Sequence, residues 1–185
     1  MAGARIPLHM INAYDRDTFV ARLGFLFEDS PWIAARAWDD RPFASLDDLH
    51  AALCHVMYAA APDEQLALIR AHPDLVGRAA LAGTLTPSST REQSAAGLDR
   101  LTPDEIALFN RYNRTYAQRF GFPFVICARE NKKDSILAGF EQRLEHSREQ
   151  EITTALGEIA KIARLRLLDA VAPDDHVAPI HETEG

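Results

Sequence analysis

An all-α fold, a single-domain multi-helix bundle of roughly eight helices, is predicted by three features of this 185-residue chain. Helix-start signals recur along it, apolar residues return three and four positions apart, and alternating strand patterns are almost absent. Ser30 before Pro31 is an N-cap and first-turn pair opening a helix through PWIAARAW. Ser45, with Asp48 three residues on, opens a stretch whose Leu46, Leu49, Leu53 and Met57 fall on one face. Pro62 opens DEQLALIR. Thr102, Pro103 and Glu105 form a capping box ahead of Ile106, Phe109, Tyr112, Tyr116 and Phe120, and Gly121 ends that helix by offering a left-handed position. Phe122–Cys127 is the one extended segment, since Pro123 biases Phe122 away from helical backbone. It is too short and isolated to form a sheet. Helical spacing resumes at Ile136, Leu137, Phe140 and Leu144, and again from Ile152 through Leu156, Ile159, Ala163 and Leu167 to Ala170.

Composition bounds what such a bundle does. At 47% hydrophobic and 25% charged residues the chain builds one sizeable core, read as a domain over residues 1–172 followed by a flexible tail at 173–185 without periodicity. A net charge of −7 and the absence of a basic run exclude a dedicated nucleic-acid binder. No apolar run approaches the ~20 residues of a membrane helix, and the N-terminus lacks a signal-like apolar core, so a cytoplasmic protein is expected. Cys54 and Cys127 stand apart in apolar sequence and read as reduced core residues. His50 and His55 are five apart with no acidic partner, which is not metal-ligand spacing. His9, His146, His176 and His181 sit in polar or terminal sequence and are expected at the surface.

Four polar residues carry more information. His72 follows the helical pattern of Leu66 and Ile69 and is succeeded at once by Pro73, which fixes its ring at a helix-to-loop junction; a histidine there also simply complements a helix C-terminus. Glu92 stands three residues after Ser89, a spacing that serves a capping box, and equally places a carboxylate in a first turn where it can accept hydrogen bonds from a ligand or orient a histidine. Gln93 reads as a surface residue or as a partner of that group. In the last helix, at ~100° per residue, Arg166 falls within about 50° of the centre of the apolar stripe. It either snorkels from the stripe's edge to water or sends its planar fork into a cavity to hold a carboxylate or a pair of carbonyl oxygens. Arg164 and Lys161 point away.

The segments NAYDRDTFVARLGFLFEDSPWIAARAWDDRPF, RAHPDLVG, SSTREQSAAGL, FGFPFVICARENKKDSIL and EIAKIARLRLLDAV, in that order, resemble the 2-oxo-4-hydroxy-4-carboxy-5-ureidoimidazoline (OHCU) decarboxylase family of purine catabolism, from about Asn12 to Val171. The resemblance implies an all-α homodimer without metal or organic cofactor. It implies an enzyme that acts after uricase and hydroxyisourate hydrolase and removes carbon dioxide from the ureidoimidazoline to give (S)-allantoin. The family's catalytic histidine falls on His72, with Pro73 packed by the ligand. Its polar pocket group falls on Ser89, Glu92 and Gln93, and its substrate-binding arginine on Arg166, with Arg164 as the other arginine of that motif. The FPFVICA segment corresponds to a ligand-lining stretch in which Ile126 to Ala128 offer backbone groups.

These residue types suit the chemistry. Loss of carbon dioxide leaves electron density that a neighbouring ring carbonyl takes up as an enolate, so the site needs donors for that oxygen and one positioned proton for carbon. His72 is expected to handle the proton, acting first as a base or later as an acid. Arg166 and Gln93 are expected on the ring and ureido oxygens, with Glu92 on the ureido nitrogens or the hydroxyl and tuning His72. Two other readings stand beside this one. One is a cofactor-free enzyme for another ureido acid or hydantoin. The other is a non-catalytic helical module, in which His72, Glu92 and Arg166 lie more than ~10 Å apart.

Overall fold

Nine α-helices occur among the residues that the computed structural model describes, 5–77 and 82–174. They are α1 (Leu8–Ala13), α2 (Arg16–Leu23), α3 (Pro31–Ala37), α4 (Leu46–Ala59), α5 (Pro62–Ala71), α6 (Pro87–Ala95), α7 (Pro103–Phe120), α8 (Lys133–Arg143) and α9 (Arg148–Ala170). The all-α class is the observed one. Helices α1 and α2 precede the first helix read from the sequence. Helix α2 carries a start signal of its own, Asp15, whose carboxylate accepts the Thr18 N–H at 2.7 Å. Helix α1 has only Pro7 ahead of it and no side-chain cap. Two short strands, β1 (Ile6–Pro7) and β2 (Val171–Ala172), pair in parallel and tie the two ends of the described chain together. Asp174, assigned to the tail by the sequence reading, accepts from the His9 N–H at 2.8 Å and pairs with the ring of the exposed His9. His176 and His181 lie outside the described residues.

Capping chemistry sets the helix ends. The Thr102 hydroxyl accepts the Glu105 N–H at 3.3 Å while the Glu105 carboxylate accepts the Thr102 N–H at 2.8 Å, and Gly121 closes α7 at φ +81°. Thr102 lies outside the cavities described below. Thr102→Ala is therefore expected to cost about 1 kcal/mol, read as a lower urea midpoint with kcat unchanged.

Helix α9 packs against α4 and α5, burying Ala155, Leu156, Ile159, Ile162, Ala163, Arg166 and Leu167 along one face. Beside it, Tyr116, Phe120, Phe122, Phe124 and Phe140 form an aromatic cluster in which Phe124 and Phe140 stack with centroids 3.8 Å apart. The extended run Phe122–Cys127 crosses this region without a strand partner, so side chains must satisfy its backbone. Arg143 donates to the Val125 carbonyl at 2.7 Å, Glu158 accepts the Cys127 N–H at 2.7 Å, and Asn131 donates to the Cys127 carbonyl at 3.0 Å. Arg143 is held by the fully buried Glu151, which also accepts from the Tyr116 hydroxyl and pairs with the His146 ring at 2.7 Å. His146, expected at the surface, is thus half-buried, drawn in by that carboxylate.

Cys54 and Cys127 are both free and buried. The His50 ring meets the Ala160 carbonyl at 2.9 Å. Among the described residues no helix is long and apolar enough to cross a membrane, and no cluster of three ligating side chains is arranged for a metal.

Candidate active site

Helix α5 stops at Ala71, and His72 leaves it with extended backbone (φ −72°, ψ +136°) because Pro73 follows. Its ring folds back on the helix, with Nδ1 2.9 Å from the Leu68 carbonyl. A carbonyl only accepts, so Nδ1 carries the proton and Nε2 presents a lone pair. Nε2 is buried and has no hydrogen-bond partner. Burial drives the pKa of His72 below its ordinary value and Arg166 adds to this, against the opposing effects of the Leu68 carbonyl, Glu28 and Glu92. The imidazole is neutral at pH 7.

This burial has a consequence for stability. Unfolded His72 takes up a proton near its ordinary pKa of about 6.5, whereas the folded ring does so only at lower pH. Its contribution is full above pH 6.5 and is lost as pH falls. The unfolding free energy is expected to drop between pH 7 and pH 5 by more in the wild type than in His72→Gln, as urea titrations at the two pH values would show.

Helix α6 begins one turn earlier than its Ser89–Glu92 spacing suggests. Thr86 is the N-cap, its hydroxyl accepting the Ser89 N–H at 3.2 Å, and Pro87 takes the first helical position. Ser89 is therefore not the cap, and Glu92 lies beyond the first turn, so neither the capping-box role nor the helix-dipole argument applies to it. Its carboxylate instead clasps Arg166 with both oxygens, at 2.7 Å to Nε and 2.9 Å to Nη2. Ser89, buried, donates to Glu28 at 2.8 Å.

Arg166 is 3% exposed, so it does not snorkel to water. Besides Glu92 it donates from Nη2 to Glu28 at 2.8 Å and from Nη1 toward the Phe25 and Leu26 carbonyls at 3.3 and 3.4 Å. Its fork is thus filled by protein carboxylates rather than left open for one on a ligand. Burial works against its charge, but Glu92 and Glu28 outweigh burial and raise its pKa. For Glu28 burial likewise opposes ionisation, and Arg166, Ser89 and His72 together hold its pKa below the usual carboxylate value. Arg164 points away from the site and pairs with Asp47. Glu28 had no place in the sequence reading. It follows the apolar GFLF run, a weak signal, and its partner lies 138 residues on.

A cavity of about 30 Å³ is lined by His72, Pro73, Ser89, Glu92, Gln93, Ile126, Ala128 and Arg166, so the eight residues singled out from the sequence meet at one place. The wide separation expected of a binding module is absent. Gln93 accepts the Val76 N–H at 3.0 Å through Oε1, which makes its NH₂ the donor end. Backbone strain flanks the site. Val76 sits at φ +55° and Asp29, next to Glu28, at φ +43°, left-handed conformations that are costly for non-glycine residues and worst for a β-branched one. A second cavity of about 290 Å³ shares Glu92 and Arg166 with the first and is otherwise lined by Phe25, Ser88, Arg91, Arg129, Asp169 and Ala170.

A family model described as OHCU decarboxylase matches residues 12–168. The chain belongs to the OHCU decarboxylase family. It is 39% identical over 177 residues to the 2-oxo-4-hydroxy-4-carboxy-5-ureidoimidazoline decarboxylase of Halalkalicoccus jeotgali, covering 96% of this chain and 98% of that one. The protein of the same name from Haloferax volcanii is 42% identical over 164 residues, 89% of this chain and 95% of its own. Among solved structures, an (S)-allantoin synthase superposes with a TM-score of 0.73 at 27% identity, over 90% of this chain and 54% of that chain. Within this OHCU decarboxylase family member, His72, Glu92 and Arg166 line the same cavity.

Proposed function

We propose that the protein decarboxylates 2-oxo-4-hydroxy-4-carboxy-5-ureidoimidazoline to (S)-allantoin, without metal or organic cofactor, in urate degradation. Membership of the family supports the reaction class. The observation that carries the reading to the residues is the unpartnered Nε2 of a neutral, Nδ1-protonated His72 in the cavity shared with the Glu92–Arg166 pair.

An imidazole in that state begins as an acceptor. Nε2 takes a proton from the substrate's hydroxyl or a ring N–H as the C–C bond to the carboxylate breaks. The electron pair of that bond passes into the ring, where a ring nitrogen takes up a proton from solvent, and carbon dioxide leaves as a neutral molecule. The imidazolium so formed, stabilised by the neighbouring Glu28 and Glu92, then returns a proton to one face of the ring carbon, which fixes the hand of the product. Glu92 accepts from ureido N–H groups, and Arg166 keeps that carboxylate in place through two bonds. Gln93 donates to a ring or ureido oxygen, and Pro73, Ser89, Ile126 and Ala128 shape the walls.

The same reading includes a homodimer in the cytoplasm, and light scattering on the eluting protein tests the dimer. The activity is tested by generating the substrate in situ from urate and following optical rotation. Catalytic amounts of protein are expected to give dextrorotatory allantoin faster than spontaneous decay gives racemate. Racemate at the spontaneous rate would overturn the assignment.

A further inference from the structure

We propose that Arg91 recognises the substrate's carboxylate, in the outer cavity, and that Arg166 does not. This rests on the decarboxylase reading above. The inner cavity of about 30 Å³ is too small for a heterocycle bearing carboxy and ureido arms, which must extend into the adjoining space of about 290 Å³. Three guanidinium groups line that outer space: Arg91, Arg129 and Arg166. Arg166 is committed to Glu92 and Glu28. Arg129 is committed to Asp169 through bonds of 2.6 and 3.3 Å. Arg91 makes no ion pair among the described residues, and its guanidinium approaches only the Ser88 hydroxyl, at 3.5 Å.

Charge points the same way. The inner group sets two carboxylates, Glu28 and Glu92, against one guanidinium and a neutral imidazole, so it repels an anion. The ureido arm, rich in N–H donors, suits Glu92; the carboxylate suits Arg91, one residue away on α6. The leaving carbon dioxide then emerges on the solvent side. Because the departing group loses its charge as the bond breaks, the Arg91 contact is stronger in the ground state than in the transition state. Arg91 therefore governs substrate capture more than chemistry.

The test is steady-state kinetics of Arg91→Gln at low ionic strength with substrate generated in situ. KM is expected to rise roughly five- to tenfold, with kcat changed less than about threefold. Arg91→Lys is expected to recover part of the loss. Inhibition by (S)-allantoin, which is neutral, is expected to be unchanged, and the salt dependence of KM is expected to flatten. An unchanged KM in Arg91→Gln, a KM increase in Arg129→Gln instead, or an equal loss of allantoin affinity would each overturn the role of Arg91 while leaving the decarboxylase reading intact. A wild-type protein that does not accelerate turnover would overturn both.

Discussion

His72→Gln is expected to lower kcat by roughly 10²–10⁴-fold and to let the remaining product form as racemate. Glutamine keeps a polar side chain at the end of α5 with an amide able to donate to the Leu68 carbonyl, so the helix end need not rearrange. What it removes is the lone pair at Nε2 and with it the ability to take up and return a proton. Since Nε2 has no protein partner, the loss leaves no new buried group unsatisfied and folding is expected to survive. Stopped turnover under in situ substrate generation gives kcat, and chiral chromatography of the allantoin gives the enantiomer ratio. A variant retaining full rate and handedness would remove His72 from the reaction.

The second large effect is on stability. Arg166→Met is expected to cost about 3–5 kcal/mol, because it leaves Glu28 and Glu92 facing each other in a buried site without their shared cation. Burial already opposes the charge on Glu28, and Arg166 is the leading influence holding its pKa down. Without it that carboxyl is expected to titrate above the ordinary range. Urea unfolding at pH 7 measures the loss, which should shrink toward pH 5 as Glu28 protonates. Adding Glu28→Gln and Glu92→Gln should recover a substantial part of it, which a purely steric defect would not allow.

The helices were legible where capping chemistry is local. Thr102 with Glu105, and Gly121 after Phe120, bond within a few residues of themselves, so spacing alone identified both ends of α7. The start of α6 was legible too, but from Thr86–Pro87, the same pairing of capping residue and proline as Thr102–Pro103; the competing Ser89–Glu92 spacing obscured it. Helix α1 carries no cap signal, and the pairing of β1 with β2 joins residues at opposite ends of the chain, so neither could be read from a window of sequence.

The site divides in the same way. The position of Arg166 on the buried side of α9 follows from helical phase, and His72 is marked by Pro73. That the Arg166 fork is already filled depends on Glu28, delivered by the turn at Gly24–Leu26 and the strained Asp29, far away in sequence. Periodicity reports which face a side chain occupies. It does not report which carboxylate meets it there, and here that meeting engages the Arg166 fork with Glu92 and Glu28.

The proton-handling role stands on the state of one ring. The ¹⁵N chemical shifts of the His72 imidazole, taken at pH 7 on uniformly labelled protein and assigned by comparison with His72→Gln, report it directly. A neutral ring protonated at Nδ1, with Nε2 free, is the expected result; a ring protonated at Nε2, or an imidazolium, would contradict the mechanism.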